Sequence, residues 1–280
     1  HVLRPSIIWC DSRAVDLGSE AFRTIGEEKC LQELLNSPGN FTASKLGWVK
    51  KNEPKTFSKV HKFMLPGDYL ALRLGGEITT TSTGLSEGTF WDFESRTLSG
   101  TIMNYFGFSN EMVPEQVPSM GKQLLIDSEV ANKLGLRDDV WLTYRAGDQP
   151  NNAFSLNVLH PGEIAATAGT SGVVYAVTDQ NVYDSKSRIN TFLHVNDSRQ
   201  QPRNGILICV NGTGILYRWI KQVLTSDSGK LDYKQMNERA NSAPAGSDGI
   251  RTFPFGNGAE RILENRLVNG HIMNLDFNRH

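Results

Sequence analysis

The chain has 280 residues, a length that suits about two domains and is ample for a buried core. Hydrophobic residues make up 39% and charged residues 21%, the profile of an ordinary globular chain, which sets disorder aside. With 29 basic and 30 acidic residues the net charge is -1, so neither nucleic acid nor an anionic membrane surface has an electrostatic footprint here.

Cys10, Cys30 and Cys209 are widely spaced and odd in number, which argues against zinc or disulfide frameworks and fits a reducing cytoplasm. No run of about 18 apolar residues is present, so no helix is expected to span a membrane. The first residues lack the charged start and apolar stretch of a signal peptide.

In chain order, Ser6-Ile7-Ile8-Trp9 reads as a buried strand. Because His1 stands just ahead of it, and the far end stops at Asp276-Phe277-Asn278-Arg279-His280 without a polar tail, a fragment of a longer protein is expected. Residues 14–35 carry helical spacing, with Leu31, Leu34 and Leu35 as one stripe. A second helix is predicted over 43–52, capped near Thr42, and a third opens at Pro66 and ends at Gly75-Gly76. The Thr/Ser-rich stretch 77–91 is short and bounded by apolar residues, so it reads as an ordered turn and helix. Further on come a helix over 127–134, a strand over 140–144, a helix over 152–159, and two strands, 163–168 and 172–178, joined by a tight turn. Strands over 191–195 and 205–210 precede an amphipathic helix, 213–224, and another helix, 232–241. The domain boundary is expected between Gly135 and Gly147.

Four segments carry polar chemistry. Ala146-Gly147-Asp148-Gln149 follows a predicted strand, where α/β sheets place ligand groups, and a carboxylate there can accept a proton from a hydroxyl. An Asp that merely caps the next helix would look the same. Ala168-Gly169-Thr170-Ser171-Gly172 could turn its N–H groups and hydroxyls toward an anion, or be an ordinary hairpin turn. It is neither a Walker loop nor a hydrolase elbow. Trp9-Cys10-Asp11-Ser12-Arg13 offers a helix cap at Asp11, paired with Arg13, or a polar cluster at the mouth of a sugar site. In Gly256-Asn257-Gly258-Ala259-Glu260-Arg261, the two charges read as surface ion pairs. His194, on a predicted strand, reads as a satisfied structural histidine.

The order of these motifs is more specific than any one of them. R-P-x-I-x-W-x-D-x-R from Arg4 to Arg13 is followed by F-T-x-x-K-L-x-W-V from Phe41 to Val49 and L-P-x-D-Y-L from Leu65 to Leu70. Then come Thr83 to Asp92 with its Gly88-Thr89 pair, A-G-D from Ala146 to Asp148, G-T-S-G from Gly169 to Gly172, and G-x-x-x-E-R from Gly256 to Arg261. The series resembles the FGGY family of carbohydrate kinases, and within it the xylulokinases, over almost the whole chain.

That resemblance implies an α/β, actin-like (ribonuclease H-like) ATPase fold of two lobes, both incomplete in this chain. Residues 1–143 would be the remainder of the N-terminal sugar-binding lobe, and 144–280 the first part of the C-terminal nucleotide-binding lobe. It implies ATP and Mg2+ as cofactors and a small-molecule sugar as partner, with no nucleic acid or membrane partner, and a homodimer as the assembly to test for. Asp148 matches the family's catalytic base. Gln149 stands where xylulokinases usually have a sugar-touching Asn. Gly169, Thr170, Ser171 and Gly172 match a phosphate-binding turn, and Trp9, Asp11 and Arg13 match a segment near the sugar pocket. The implied reaction is conversion of D-xylulose to D-xylulose 5-phosphate. Another ketose, a polyol or gluconate is the alternative substrate, and a non-catalytic sugar-binding fragment the alternative role. The family's D-x-G-T strand pair, its Met-His-Gly sugar segment and its Gly-Gly adenine segment have no counterpart here, so the chain alone is expected to be inactive. Asp16-Leu17-Gly18-Ser19 mimics the D-x-G-[ST] turn but falls inside a predicted helix, and is read as a decoy.

Overall fold

A computed structural model describes residues 1–9, 11–225, 231–264 and 266–278. Cys10 and the last two residues lie outside the described residues. The chain divides into two units: one holds 1–165 and 175–207, the other 166–174 and 208–280.

The helical spacing over 14–35 is interrupted once. Val15–Ile25 and Glu27–Leu34 are separate helices, and the break falls at Gly26, whose φ of 106° a helix cannot contain. Asp16-Leu17-Gly18-Ser19 lies inside the first helix. Gly18 is a packing residue: a β-carbon there would collide with the Gly39 carbonyl oxygen. Thr42–Asn52 and Pro66–Gly75 form as predicted, the latter closed by Gly76 in the left-handed region.

These helices pack on one apolar core. Cys30, Leu34, Leu85, Phe90, Ile102, Phe108 and Leu193 are among its buried members. Phe90 stacks on Phe63 at 4.4 Å between ring centroids, and Phe106 on Phe108 at 5.3 Å.

The Thr-rich stretch is a strand and a helix. Thr79–Thr81 pairs in parallel with Glu115–Val117, and Ser82–Glu87 is helical. All three strand threonines are buried. A buried hydroxyl needs a partner, and these find them: Thr80 donates to Asp68 at 2.9 Å, and Thr81 and Thr83 share a bond of 2.9 Å.

Ser6–Trp9 is not a strand. No strand among the described residues pairs with it, and the Ile8 carbonyl instead accepts from Asp11 N–H at 3.1 Å and Lys45 Nζ at 2.8 Å. An apolar run without a ladder partner stays irregular, and Trp9 is 86% exposed.

Ile164–Ala168, Gly172–Thr178, Asn204–Val210 and Asn190–Leu193 form a four-stranded sheet in that spatial order. His194 follows the last of these strands and is fully buried. Its Nε2 donates to the Val158 carbonyl at 3.0 Å, which leaves Nδ1 to accept the Tyr175 hydroxyl at 2.9 Å. Burial lowers its pKa to about 4, against the opposing pull of Val158. It is the satisfied structural histidine the sequence suggests.

Among the described residues, the α-helices of the second unit are Thr213–Thr225 and Tyr233–Ala240, the latter opened by a capping box between Asp232 and Gln235. Arg251–Phe253 pairs antiparallel with His271–Met273, and Ala259–Glu260 with Arg266–Leu267. No helix among the described residues is long and apolar enough to cross a membrane.

Candidate active site

Asp148 stands on a platform fixed from below. Trp141–Tyr144 pairs antiparallel with Met120–Leu125, and the next residue, Arg145, turns its guanidinium inward. It donates to Gln123 Oε1 at 2.9 Å, to Asp68 Oδ1 and the Thr79 carbonyl at 3.2 Å each, and to Thr79 Oγ1 at 2.9 Å. Both members of the Arg145–Asp68 pair are buried. Burial pushes the Asp68 carboxyl up, while Thr80 and Arg145 hold it down. Such a pair is costly to break from one side, because the remaining charge is stranded.

Two residues further on, Gly147 caps the helix Asp148–Ser155, and its N–H donates to Glu87 Oε1 at 3.1 Å. Asp148 is the first residue of the helix, not its cap, so the helix starts earlier than the predicted 152–159. Its carboxylate is exposed and held by its own neighbour: Oδ1 accepts the Gln149 N–H at 2.9 Å, and Oδ2 the Gln149 side-chain amide at 3.1 Å. A helix N-terminus favours a negative charge at this position. An exposed, oriented carboxylate of this kind can accept a proton from a hydroxyl brought to it. Gln149 thus orients Asp148.

Asp11 and Arg13 form a separate surface pair in the same unit, and among the described residues Trp9 is tied to it only by the Asn40 amide, which donates to the Trp9 and Asp11 carbonyls at 3.5 and 2.8 Å. Arg13 grips Asp11 with both ends of its fork, at 2.9 and 2.7 Å, and lies over the Trp48 ring at 4.7 Å. The Arg13 hydrogen bonds hold the Asp11 carboxyl near 2. Asp11 does not cap the following helix. The helix starts at Val15, so Ala14 takes that position with no side-chain cap, and the Asp11 carboxylate accepts from Arg13 instead. No hydrogen bond or ion pair joins this cluster to Asp148 or Gln149 among the described residues.

In the second unit, Gly169-Thr170-Ser171 is the turn between two strands, with Gly169 and Thr170 exposed. Gly169 N–H donates to the Ser171 carbonyl at 3.0 Å. The Thr170 carbonyl accepts the N–H groups of Gly214 and Ile215, at 3.1 and 3.2 Å, from the helix Thr213–Thr225. A β-carbon on Gly214 would collide with the Gly169 carbonyl oxygen, so the turn rests on bare backbone. Glu260 departs from the surface ion pair expected of it. It is fully buried, and its Oε2 accepts the Asn211 N–H at 3.2 Å. Asn257 donates to the Asn211 carbonyl at 2.9 Å, so the residues just before that helix are tied down twice.

The sequence reading missed Glu87 and Arg145, and carried Asp68 only as the acid of L-P-x-D-Y-L, without a role. Arg145 left one trace, a lone cation at the end of an apolar strand. Glu87 left none, since an acid at the end of a short helix is ordinary.

The architecture is that of the actin-like sugar kinases, a fold shared with solved structures across this whole length. A xyloylose kinase from Brucella ovis superposes with a TM-score of 0.87 at 23% identity, covering 100% of this chain and 56% of that one. A gluconate kinase from Lactobacillus acidophilus gives 0.88 at 21%, with the same coverage. The chain belongs to the FGGY family of carbohydrate kinases, whose N-terminal domain matches residues 1–155. Xylulose kinase of Haemophilus influenzae is 26% identical over 274 residues, covering 96% of this chain and 53% of that protein. The chain therefore spans about half the length of the relatives it matches.

Proposed function

We propose that this chain carries the acceptor-activating part of an ATP-dependent carbohydrate kinase, acting on a ketose hydroxyl and converting D-xylulose to D-xylulose 5-phosphate. One observation carries the reading: an exposed carboxylate, Asp148, opens a helix directly after a strand whose end is locked by buried polar contacts. Residues 1–143 are read as sugar lobe and 144–280 as the start of the nucleotide lobe. The family match over 1–155 supports the first.

In this reading Asp148 accepts the proton of the sugar's terminal hydroxyl as its oxygen attacks, and Gln149 keeps the carboxylate aimed. Trp9 offers the sugar chain an apolar face, and the Asp11–Arg13 pair offers directional donors and acceptors. The turn Gly169-Thr170-Ser171-Gly172 is small, exposed at Gly169 and Thr170, and backed at Gly169 by the bare backbone of Gly214, which suits a nucleotide's phosphate oxygens. Bound ATP with Mg2+ supplies the phosphoryl group and neutralises its charge. Magnesium is usually held by phosphates, waters and one or two carboxylates. No three-group metal cluster stands among the described residues, so no ligand is assigned to it here.

Asp148→Asn in the intact protein is expected to lower turnover about a thousandfold, with folding intact by circular dichroism. Turnover near wild type would overturn the assignment. The equal likeness to a gluconate kinase keeps a second substrate class in play. A coupled ATP assay across D-xylulose, other ketoses, polyols and gluconate ranks them by kcat/KM.

A further inference from the structure

Glu87 ends the helix Ser82–Glu87, and its carboxylate occupies the space where residue 147 would carry a side chain. Gly147 has φ −67° and ψ 171°, a backbone shape any residue adopts. It is glycine for another reason: a β-carbon there would collide with both carboxylate oxygens of Glu87. The hydrogen bond from Gly147 N–H to Glu87 Oε1, 3.1 Å, closes the same contact. The two residues interlock across 60 positions of sequence, and the next residue is Asp148.

We propose that Glu87 is a positioning residue for acceptor activation: it fixes the turn that presents Asp148. The inference rests on the reading of Asp148 as the base. The charged and titratable groups facing Glu87 are Asp148 on the following helix, Asp68 on the helix Pro66–Gly75, Tyr144 on the strand Trp141–Tyr144, and Tyr175 on the strand Gly172–Thr178. None is a cation, and the nearby Arg145 directs its guanidinium to Asp68, Gln123 and Thr79. Burial, then the Asp148 charge, raise the Glu87 carboxyl to about 7, against the Gly147 N–H.

The test is the kcat and sugar KM of the intact protein with D-xylulose, for wild type, Glu87→Ala, Glu87→Gln and Asp148→Asn. Glu87→Gln keeps an acceptor for the Gly147 N–H, and Glu87→Ala does not. Glu87→Ala should lower kcat about tenfold with the sugar KM unchanged, and Glu87→Gln should restore most of it. A Glu87→Ala variant with wild-type kcat overturns the proposal while leaving Asp148 as base. An Asp148→Asn variant that keeps its turnover sinks both readings at once. The interlock is checked separately by thermal melting. Gly147→Ala should lower Tm in the wild-type background and much less in a Glu87→Ser background. Equal losses in the two backgrounds would show that the carboxylate does not occupy that space.

Discussion

The two units of this chain are built to different standards of burial. The unit holding Asp148 packs Phe90, Leu34, Ile102 and Leu193 to within 2% of complete burial and locks Arg145 and Asp68 beneath the site. In the unit holding the Gly169–Gly172 turn, Val173, Leu231 and Met236 are the buried apolar side chains among the described residues. Trp219, Leu267 and Phe277 are largely exposed there. Since apolar burial is the main stabilising term, the first unit holds its geometry from its own interior. The second unit's geometry rests more on backbone contacts and caps.

The comparison can be broken in descending order of effect. Phe90→Ala removes a ring from the centre of the first unit and should cost about 3–5 kcal/mol, read as a shift in urea midpoint. A cost below about 1 kcal/mol would mean this core is less tightly packed than its burial implies. Acid gives the next effect. Below the ordinary histidine value of 6.5, the unfolded chain takes up a proton that buried His194 refuses until about pH 4. Stability should therefore fall as pH drops from 6.5 to about 4, by up to about 3 kcal/mol from this group. Denaturation at stepped pH, repeated in His194→Gln, checks it: the variant should show a flatter slope. The smallest effect belongs to the second unit. Leu267 is 83% exposed, and Leu267→Ser should change stability by no more than about 0.5 kcal/mol. A loss as large as that of Phe90→Ala would erase the contrast between the units.

What could be read in advance follows the range of the interactions. The strand–glycine–acid run ending at Asp148 and the Gly-Thr-Ser-Gly turn are written in consecutive residues, and both appear where local rules put them. The break at Gly26 was equally local, but helical spacing on either side concealed it. Ser6–Trp9 failed for the opposite reason: a strand exists only with a partner, and apolar character alone does not supply one. The support beneath Asp148 was beyond reach, because Arg145 meets Asp68 across 77 positions and Gly147 meets Glu87 across 60. Glu260 misled in the same way, since only the folded chain buries it against Asn211.

Cys30 belongs to the core of the first unit, and burial pushes its thiol up to about 12. Cys209, in the second unit, is half-buried. Thiolate is the species that electrophiles trap, so Cys30 becomes alkylated only when its surroundings come apart. With Cys10 and Cys209 replaced by serine, a maleimide time course followed by peptide mass would clock the opening of the first unit.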